Sequence, residues 1–331
     1  MKIARTIAAA AATTLFITGC SASGAPAGGD ASPGTSASTT QAGTPKLNVV
    51  VAFYPLQYVS EQIAGDTATV TSLTAPGTEA HDLELTPQQI ASLSKADLVI
   101  YQKGFQAQVD AAVEQEKPKN LLDVASVVEL KKVEEHHDHA GEHGHDHGDK
   151  HGHDHGHGGV DPHVWLDPLN MVKIAEAVGQ KLATAQGADK AAVETATKAV
   201  IGKLTALDEE YKTGLASCER HDIIVSHEAF GYLTSRYKLH QIGISGLSPD
   251  AEPSPARIAE VHKQAKKYNV TTIFYETLTS PEVAKSIAGD LGLTTDVLDP
   301  LEGLTKESRG KDYIEVMKSN LTALKKANGC K

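Results

Sequence analysis

Basic residues, aromatic residues and cysteines are all scarce in this chain of 331 residues, and each shortage excludes a class of protein. Lysine and arginine total 31 against 42 aspartates and glutamates, so no basic surface is expected that could bind a nucleic-acid backbone. Aromatic residues make up only 5%, which argues against a sugar or base site lined with aromatic rings. The three cysteines show no CxxC spacing, and we therefore expect no thiolate metal site.

The first twenty residues are typical of a lipoprotein signal peptide. Lys2 and Arg5 precede an apolar stretch over residues 7–18, which runs into the small residues of "ITGC". We expect removal of residues 1–19, acylation of Cys20, and an extracytoplasmic protein anchored to the cell membrane by lipid. The alternative is an ordinary secretory signal with an incidental cysteine. No later segment approaches the ~20 apolar residues that a membrane span needs.

Residues 20–46 are rich in Ser, Thr, Gly, Ala and Pro, a composition that predicts a flexible tether. Two cysteines remain beyond it, Cys218 and Cys330. Because an exported protein folds in an oxidising compartment, we expect these two to form a disulfide that fixes the C-terminal helix to the second half of the chain. Two separate thiols are the alternative.

Strands and helices alternate along the folded part, which predicts an α/β architecture with parallel sheets. Apolar runs such as "LNVVVAF" and "DLVIYQ" are separated by helical segments, and the alternation returns with a strand "DIIVS" and a helix "HEAFGYLTSRY". A long helical stretch from Asp189 to about Leu215 lies between. We expect an N-terminal lobe over residues 47–187, a linking helix over 188–217 and a C-terminal lobe over 218–331.

Ten of the chain's sixteen histidines fall in one tract over residues 134–159, "EEHHDHAGEHGHDHGDKHGHDHGHGG". The tract is Gly-rich, acidic and without periodicity, so it predicts a mobile loop of the N-terminal lobe that binds several metal ions loosely. We interpret it as an auxiliary metal loop. Its histidines are His136, His137, His139, His143, His145, His147, His151, His153, His155 and His157.

Three other histidines lie where ligands are found in α/β proteins, at the carboxyl ends of strands. His81 lies in "TAPGTEAHDLELTP" after a strand, His163 in "DPHVWLDP" before a helix, and His227 in "IIVSHEAF" at the end of a buried strand. A lone histidine is more often structural than a ligand, but three that face one expected cleft predict a metal site. The remaining histidines are expected to be surface or packing residues: His221, His240 and His262.

The last strand and loop, "TTDVLDPLEGL", offer a carboxylate as the fourth ligand, from Glu302 or Asp299. Three imidazoles and one carboxylate suit Zn²⁺, which favours nitrogen and is satisfied by four ligands, better than Mn²⁺. Acceptors on other side chains should orient the imidazole rings. The candidates nearest in sequence are Asp161, Asp167 and Glu228.

Several long motifs together resemble the metal-binding receptors of bacterial ABC importers for zinc and manganese, the cluster A-I solute-binding proteins. They are "PGTEAHDLELTP", "DPHVWLDP", "SHEAFGYL", "GISGLSPDAEPSPARIAEV", "IFYETLTSPEVAKSIA" and "LDPLEGL", in the family's order over about residues 46–331. "SHEAFGYL" and "GLSPDAEPSP" are similar to the zinc-specific branch of ZnuA or AdcA type, whereas manganese members typically place a carboxylate where this chain has His227. Zinc members also often carry a His-rich tract between the first two ligand motifs.

The resemblance implies two four-stranded α/β lobes joined by one long rigid helix, with the metal between the lobes. It assigns ligands to His81, His163 and His227 and matches Glu302 to the fourth position, with Asp299 as the alternative and Glu79 as a weaker one. It implies a monomeric receptor without catalytic residues, which delivers Zn²⁺ to an ABC permease and its ATPase.

Two other functions are weighed against a receptor. A zinc hydrolase would need an open coordination position and a general base, and the chain contains no HExxH pattern. A secreted metal buffer or adhesin would bind metal mainly through the His-rich tract. In a receptor, one tight site would survive deletion of the tract, and the tract would collect or sense zinc, or limit occupancy when zinc is plentiful.

Overall fold

The computed structural model describes residues 46–132 and 159–331. The predicted signal peptide, the acylation site at Cys20, the tether up to residue 45 and the ten histidines of the tract lie outside the described residues. The described part forms two four-stranded parallel sheets flanked by helices, which confirms the expected fold class. None of its helices combines the length and the apolar character needed to cross a bilayer.

The N-terminal lobe consists of β1 Leu47–Val51, α1 Tyr54–Ala64, β2 Ala68–Ser72, α2 Pro87–Leu93, β3 Leu98–Tyr101, α3 Ala107–Glu116 and β4 Leu121–Asp123. Its strands lie in the order β2-β1-β3-β4, and all neighbours are parallel. The central strand β3 is buried along its whole length, which explains its uninterrupted apolar sequence. Thr86 and Gln89 form a capping box that starts α2.

Two helices connect the lobes, α4 Pro168–Ala183 and α5 Lys190–Gly214. The side chain of Asp189 accepts a hydrogen bond from the Ala192 amide and so caps α5, as expected for a helix that begins there. With 25 residues, α5 is about 37 Å long. It packs on α1 and α4 and places buried side chains such as Leu204 and Leu207 on the core.

The C-terminal lobe consists of β5 Asp222–Val225, α6 Gly231–Tyr237, β6 His240–Gly243, α7 Pro255–Lys267, β7 Thr272–Tyr275, α8 Glu282–Leu291, β8 Thr294–Val297 and α9 Tyr313–Asn328. Its strand order is β6-β5-β7-β8, again fully parallel. Helix α9 returns to pack on α5, so the long helix contacts both lobes.

The prediction that a helix begins at His227 is wrong, because α6 begins four residues later, at Gly231. Residues 227–230 form a turn at the carboxyl end of β5, in which the Ala229 amide donates to the His227 carbonyl. At Gly231 a Cβ would lie 2.3 Å from Asp161 Oδ2, so the start of α6 fits closely under another segment. The turn places the His227 side chain at the end of the strand instead of on the side of a helix.

Cys218 and Cys330 form a disulfide, which confirms the predicted pairing. The two cysteines are 112 residues apart, and the bridge joins the end of α9 to the segment that follows α5. Backbone hydrogen bonds support the same junction, since the amides of Glu219 and Arg220 both donate to the Asn328 carbonyl. The disulfide therefore fixes the C-terminal helix to the body of the protein.

Trp165, the only tryptophan of the chain, joins the two lobes. It is fully buried in a short 3-10 turn, Val164–Leu166. Its Nε1 donates to the Pro300 carbonyl over 2.7 Å, and its carbonyl accepts a hydrogen bond of 2.6 Å from the Tyr313 hydroxyl. The segment that carries His163 is thus tied directly to the loop after β8.

Candidate metal centre

Four of the predicted ligands meet at one point between the lobes. His81 lies on the loop after β2, His163 directly precedes the 3-10 turn, and His227 and Glu302 follow β5 and β8. Their donor atoms all lie within 4.8 Å of one another. Three of the four residues follow the carboxyl ends of parallel strands, where α/β folds form ligand sites.

Five of the six distances between the donor atoms match a tetrahedral zinc site, and the sixth, between Nε2 of His81 and Nε2 of His227, is no more than 4.8 Å. Oε1 of Glu302 lies 3.3–3.4 Å from the Nε2 atoms of all three histidines. The Nε2 atom of His163 lies 3.3 Å from that of His81 and 3.4 Å from that of His227. The edge of a tetrahedron is about 1.63 times its centre-to-corner distance, so these edges correspond to ligand distances of about 2.0–2.1 Å, the range of zinc–imidazole bonds.

The outer nitrogens of two rings are held by carboxylates. His163 Nδ1 lies 2.8 Å from Asp161 Oδ1, and His227 Nδ1 lies 2.7 Å from Glu276 Oε1. Because an ionised carboxylate only accepts hydrogen bonds, each Nδ1 carries a proton, which leaves Nε2 as the nitrogen that can bind a metal ion once it has lost its own proton. The two Nε2 atoms lie 3.4 Å apart, so two lone pairs facing each other there must be stabilised by a metal ion or an added proton.

The charged groups of the centre shift one another's pKa values. Burial alone would lower the pKa of His163, but the hydrogen bond to Asp161 and the contact with Glu302 raise it. Burial acts the same way on His227, and Glu276 together with Glu302 raises its pKa well above the ordinary value. Burial would raise the pKa of Glu302, yet the surrounding imidazoles lower it well below its usual range. The centre therefore keeps its carboxylate ionised and draws positive charge to the rings.

Glu302, and not Asp299, faces the three histidines. Both oxygens of Asp299 are engaged elsewhere: Oδ1 accepts from the Leu301 amide at 2.8 Å, and Oδ2 accepts from the hydroxyls of Thr277 and Ser308. Glu302 is completely buried, and neither of its oxygens accepts a regular hydrogen bond from the described residues. A buried carboxylate left in this state is suited to a metal ion.

Glu79 lies beside the centre without joining it. Its Oε1 accepts a hydrogen bond of 2.9 Å from the His81 amide. Burial, followed by the nearby charge of Glu302, raises the pKa of Glu79 to about 9. A carboxyl group that stays protonated at neutral pH is a poorer metal ligand than the ionised Glu302.

The ligands differ in their access to solvent. The side chain of His81 is 11% exposed, whereas those of His163, His227 and Glu302 are fully buried. The His81 ring packs edge-on against Phe105 at a centroid distance of 4.9 Å.

His81 also lines a cavity of about 250 Å³ that Val160 borders. Val160 pairs with Lys132, so the described residues on either side of the His-rich tract meet beside this cavity.

The prediction of the residues that orient the rings is right for Asp161 and wrong for two others. Asp167 caps α4 and contacts Arg236, and Glu228 contacts Arg257. The residue that holds the His227 ring is Glu276, which directly follows β7, and not Glu228. The pairing of strands explains this contact and could have predicted it. Because β7 is the neighbour of β5, a residue that directly follows β7 lies beside one that follows β5.

The other histidines stay outside the centre, as expected. His221 and His240 are exposed, and His240 pairs with Asp222 at 3.0 Å. His262 lies half-buried on α7. Among the described residues, only the cluster of three histidines and Glu302 has the geometry to hold a metal ion.

Comparison with known proteins places the fold and the centre in a family. The model of the ZnuA family, "Zinc-uptake complex component A periplasmic", matches residues 49–327. The chain belongs to the ZnuA family. The matched range contains all four residues of the centre, and it leaves the predicted signal peptide and tether outside.

Relatives in the ZnuA family are similar over most of this chain. The zinc-binding lipoprotein AdcA of Streptococcus pneumoniae is 37% identical over 289 residues, which cover 85% of this chain but 55% of AdcA. The chain thus spans about half the length of that relative. The high-affinity zinc uptake system protein ZnuA of Bacillus subtilis is 38% identical over 286 residues, 85% of this chain and 87% of the relative.

Solved structures in the family have the same fold. Zn(II)-bound AdcA from Streptococcus pneumoniae superposes with a TM-score of 0.70 at 35% identity, over 86% of this chain and 58% of AdcA. The metal-dependent lipoprotein YcdH of Bacillus subtilis superposes with a TM-score of 0.70 at 34% identity, over 86% of this chain and 100% of YcdH. The two-lobe architecture of this chain is therefore that of the family.

Proposed function

We propose that this protein is a high-affinity extracytoplasmic receptor that binds one Zn²⁺ ion and delivers it to an ABC permease driven by its ATPase. The observation that carries the proposal is the cluster of three Nε2 atoms and one carboxylate oxygen, which all lie within 4.8 Å of one another. Membership of a zinc-uptake family supports the transport role. In this proposal the receptor acts as a monomer and is anchored by lipid on Cys20.

Zinc is the proposed cargo because of the donor set. Three imidazole nitrogens and one carboxylate suit a borderline cation that accepts four ligands, whereas manganese prefers oxygen donors and more of them. The relatives AdcA and ZnuA support this choice, since their names specify zinc. The positive charge of the ion would be offset in part by the single ionised carboxylate of Glu302.

Receptor function is favoured over catalysis by the closure of the centre. A catalytic zinc keeps one coordination position for water or substrate. Here three histidines and Glu302 supply four donors, and three of the four side chains have no solvent-accessible surface. Such a site holds an ion tightly and needs a conformational change to release it, as a delivery protein requires.

The His-rich tract is proposed as an accessory that collects zinc near the cleft. The residues that flank it, Lys132 and Val160, pair with each other, and Val160 borders the cavity that reaches His81. Uptake measured at scarce zinc, with and without residues 136–157, tests this role. Unchanged uptake after deletion would exclude collection, and higher occupancy at plentiful zinc would favour a limiting role instead.

The receptor proposal is tested by zinc titration of the full chain, of a variant lacking residues 136–157, and of a His227→Ala variant of that deletion. One tight site should persist without the tract and disappear when His227 is also replaced. The physical reason is that a preorganised site avoids the ordering cost of a Gly-rich loop. Loss of tight binding with the tract alone would favour a metal buffer.

A further inference from the structure

We propose that Asp299 is a positioning residue, which sets the carboxylate of Glu302 among the three histidines without binding the metal itself. The proposal rests on the receptor function above, because it concerns the geometry of the same centre. It gives a role to a buried carboxylate three residues before Glu302, in the loop after β8.

The starting point is that the Glu302 side chain has few contacts outside the centre. Neither of its oxygens accepts a regular hydrogen bond from the described residues, and its side chain meets the three Nε2 atoms that would share the metal and the neighbouring side chain of Glu79. The position from which the side chain reaches these partners is set by the backbone of the loop. Leu301, directly before it, has φ +59°, a left-handed conformation that a Leu residue rarely adopts.

Asp299 stabilises this unusual backbone. Its Oδ1 accepts a hydrogen bond of 2.8 Å from the Leu301 amide, which holds the turn that ends at Glu302. Its Oδ2 accepts from Thr277 at 3.1 Å and from Ser308 at 3.0 Å. One carboxylate thus ties together the loop after β7, the turn before Glu302 and the segment that leads to α9.

The Asp299 backbone is fixed as well. Its amide donates to Asn320 Oδ1 at 3.0 Å, and its carbonyl accepts from Asn320 Nδ2 at 2.7 Å. Asn320 is buried on α9. On the other side of the turn, the Pro300 carbonyl accepts from Trp165 Nε1, which lies two residues beyond His163. The turn is therefore held from the last helix and from the segment of a second ligand.

The hydrogen bonds around Asp299 suit a residue that positions a metal ligand better than a residue that is itself a ligand. All the donors around Asp299 are neutral, and its side chain is 1% exposed, so burial raises the pKa of its carboxyl. Three hydrogen bonds nevertheless occupy both oxygens. Removal of a partner that is hydrogen-bonded directly to a metal ligand commonly costs 10–100-fold in metal affinity, which sets the scale for a residue that positions a ligand through its backbone.

A double-mutant cycle tests the proposal, with zinc affinity measured by competition against a chelator in the full chain. The variants are Asp299→Asn, Glu302→Ala and the two combined. If Asp299 acts through Glu302, Asp299→Asn lowers zinc affinity about tenfold or more in the otherwise native protein. The same change has little effect once Glu302 is absent, so the two losses are not additive.

Asp123→Asn is the matched control. Asp123 is the last residue of strand β4, and its Oδ1 accepts hydrogen bonds from the amides of Ala125 and Lys103. It supports a turn in the same way, but no ligand follows it. Zinc affinity should stay unchanged in this variant. The visible absorption of the Co²⁺-loaded proteins gives a second readout, because a displaced carboxylate alters the tetrahedral spectrum in Asp299→Asn and not in Asp123→Asn.

Each outcome decides between the alternatives. Equal losses from Asp299→Asn with and without Glu302 would overturn the proposal, as would an unchanged affinity and Co²⁺ spectrum. If Glu302→Ala alone leaves zinc affinity intact, the assignment of the metal centre fails, and with it the receptor function. Should Asp299→Asn not fold, the milder Thr277→Val/Ser308→Ala variant removes only the two hydroxyl donors, and its smaller loss must again depend on Glu302.

Discussion

The imidazole of His227 and the carboxylate of Glu276 form a hydrogen bond of 2.7 Å between residues that follow two neighbouring parallel strands. Both side chains are buried. The bond fixes the ring so that Nε2 faces the other ligands, and it makes the ring a stronger base toward a metal. Asp161 does the same for His163, so two of the three imidazoles are oriented by carboxylates.

Replacement of Glu276 should therefore weaken zinc binding although Glu276 is no ligand. In Glu276→Gln the amide oxygen can still accept from His227 Nδ1, but the negative charge is lost, and we expect a loss of about tenfold in affinity. Glu276→Leu, which also removes the acceptor, should lose more. Chelator competition measures both variants. Glu228→Gln is the control, since Glu228 contacts Arg257 and should leave affinity unchanged.

Zinc affinity should fall as pH falls, and the fall should begin above pH 6.5. In the metal-free protein the pKa values of His163 and His227 are raised, so zinc must displace protons already near neutrality. The stability that these protonated pairs contribute to the metal-free protein is present below about pH 6.5 and is lost as pH rises through the raised pKa values. Thermal stabilisation by zinc should thus grow with pH. A flat affinity between about pH 5.5 and 8.5 would contradict a site of three histidines.

His227→Asp should change the metal preference. The substitution exchanges a nitrogen donor for oxygen, so zinc binding should weaken more than manganese binding. Competition titration with the two metals gives the ratio of affinities directly. An unchanged ratio would show that His227 does not contact the bound ion. His240→Asp, at an exposed histidine outside the centre, is the matched control.

Replacement of Cys218 and Cys330 by serine should lower the free energy of unfolding by about 2–4 kcal/mol, because the bridge restricts a long loop in the unfolded chain. Urea denaturation of the metal-free protein measures the change. Zinc affinity of the folded variant should be unchanged, since neither cysteine belongs to the centre. A large loss of affinity would mean that the disulfide also holds the ligand geometry.

Much of the fold can be predicted from the sequence. The buried parallel strands are unbroken apolar runs, and several helices begin with Thr–Pro or with an aspartate that caps the first turn. His81 and His227 can be predicted because each lies in a segment that follows a strand, whereas His163 precedes a 3-10 turn and is indicated by its motif "DPHVWLDP". The start of α6 was misplaced since "HEAFGYL" has helical periodicity, whereas the chain forms a turn at His227 before Gly231. The local sequence pattern does not indicate this turn.

The support of the centre was harder to predict, because it depends on contacts between distant segments. Glu276 and His227 are 49 residues apart in sequence and meet only because β5 and β7 pair. Asp299 and Glu302 look equivalent in "LDPLEGL", and only the hydrogen bonds of Asp299 to Thr277, Ser308 and Leu301 separate the support from the ligand.

Anomalous diffraction at the zinc absorption edge, from crystals of the zinc-loaded protein, tests the central claim most directly. The account predicts one strong peak between the lobes, about 2.0–2.2 Å from the Nε2 atoms of His81, His163 and His227 and from one oxygen of Glu302. A main peak elsewhere, or a peak at this point with Asp299 or water in place of Glu302, would contradict it.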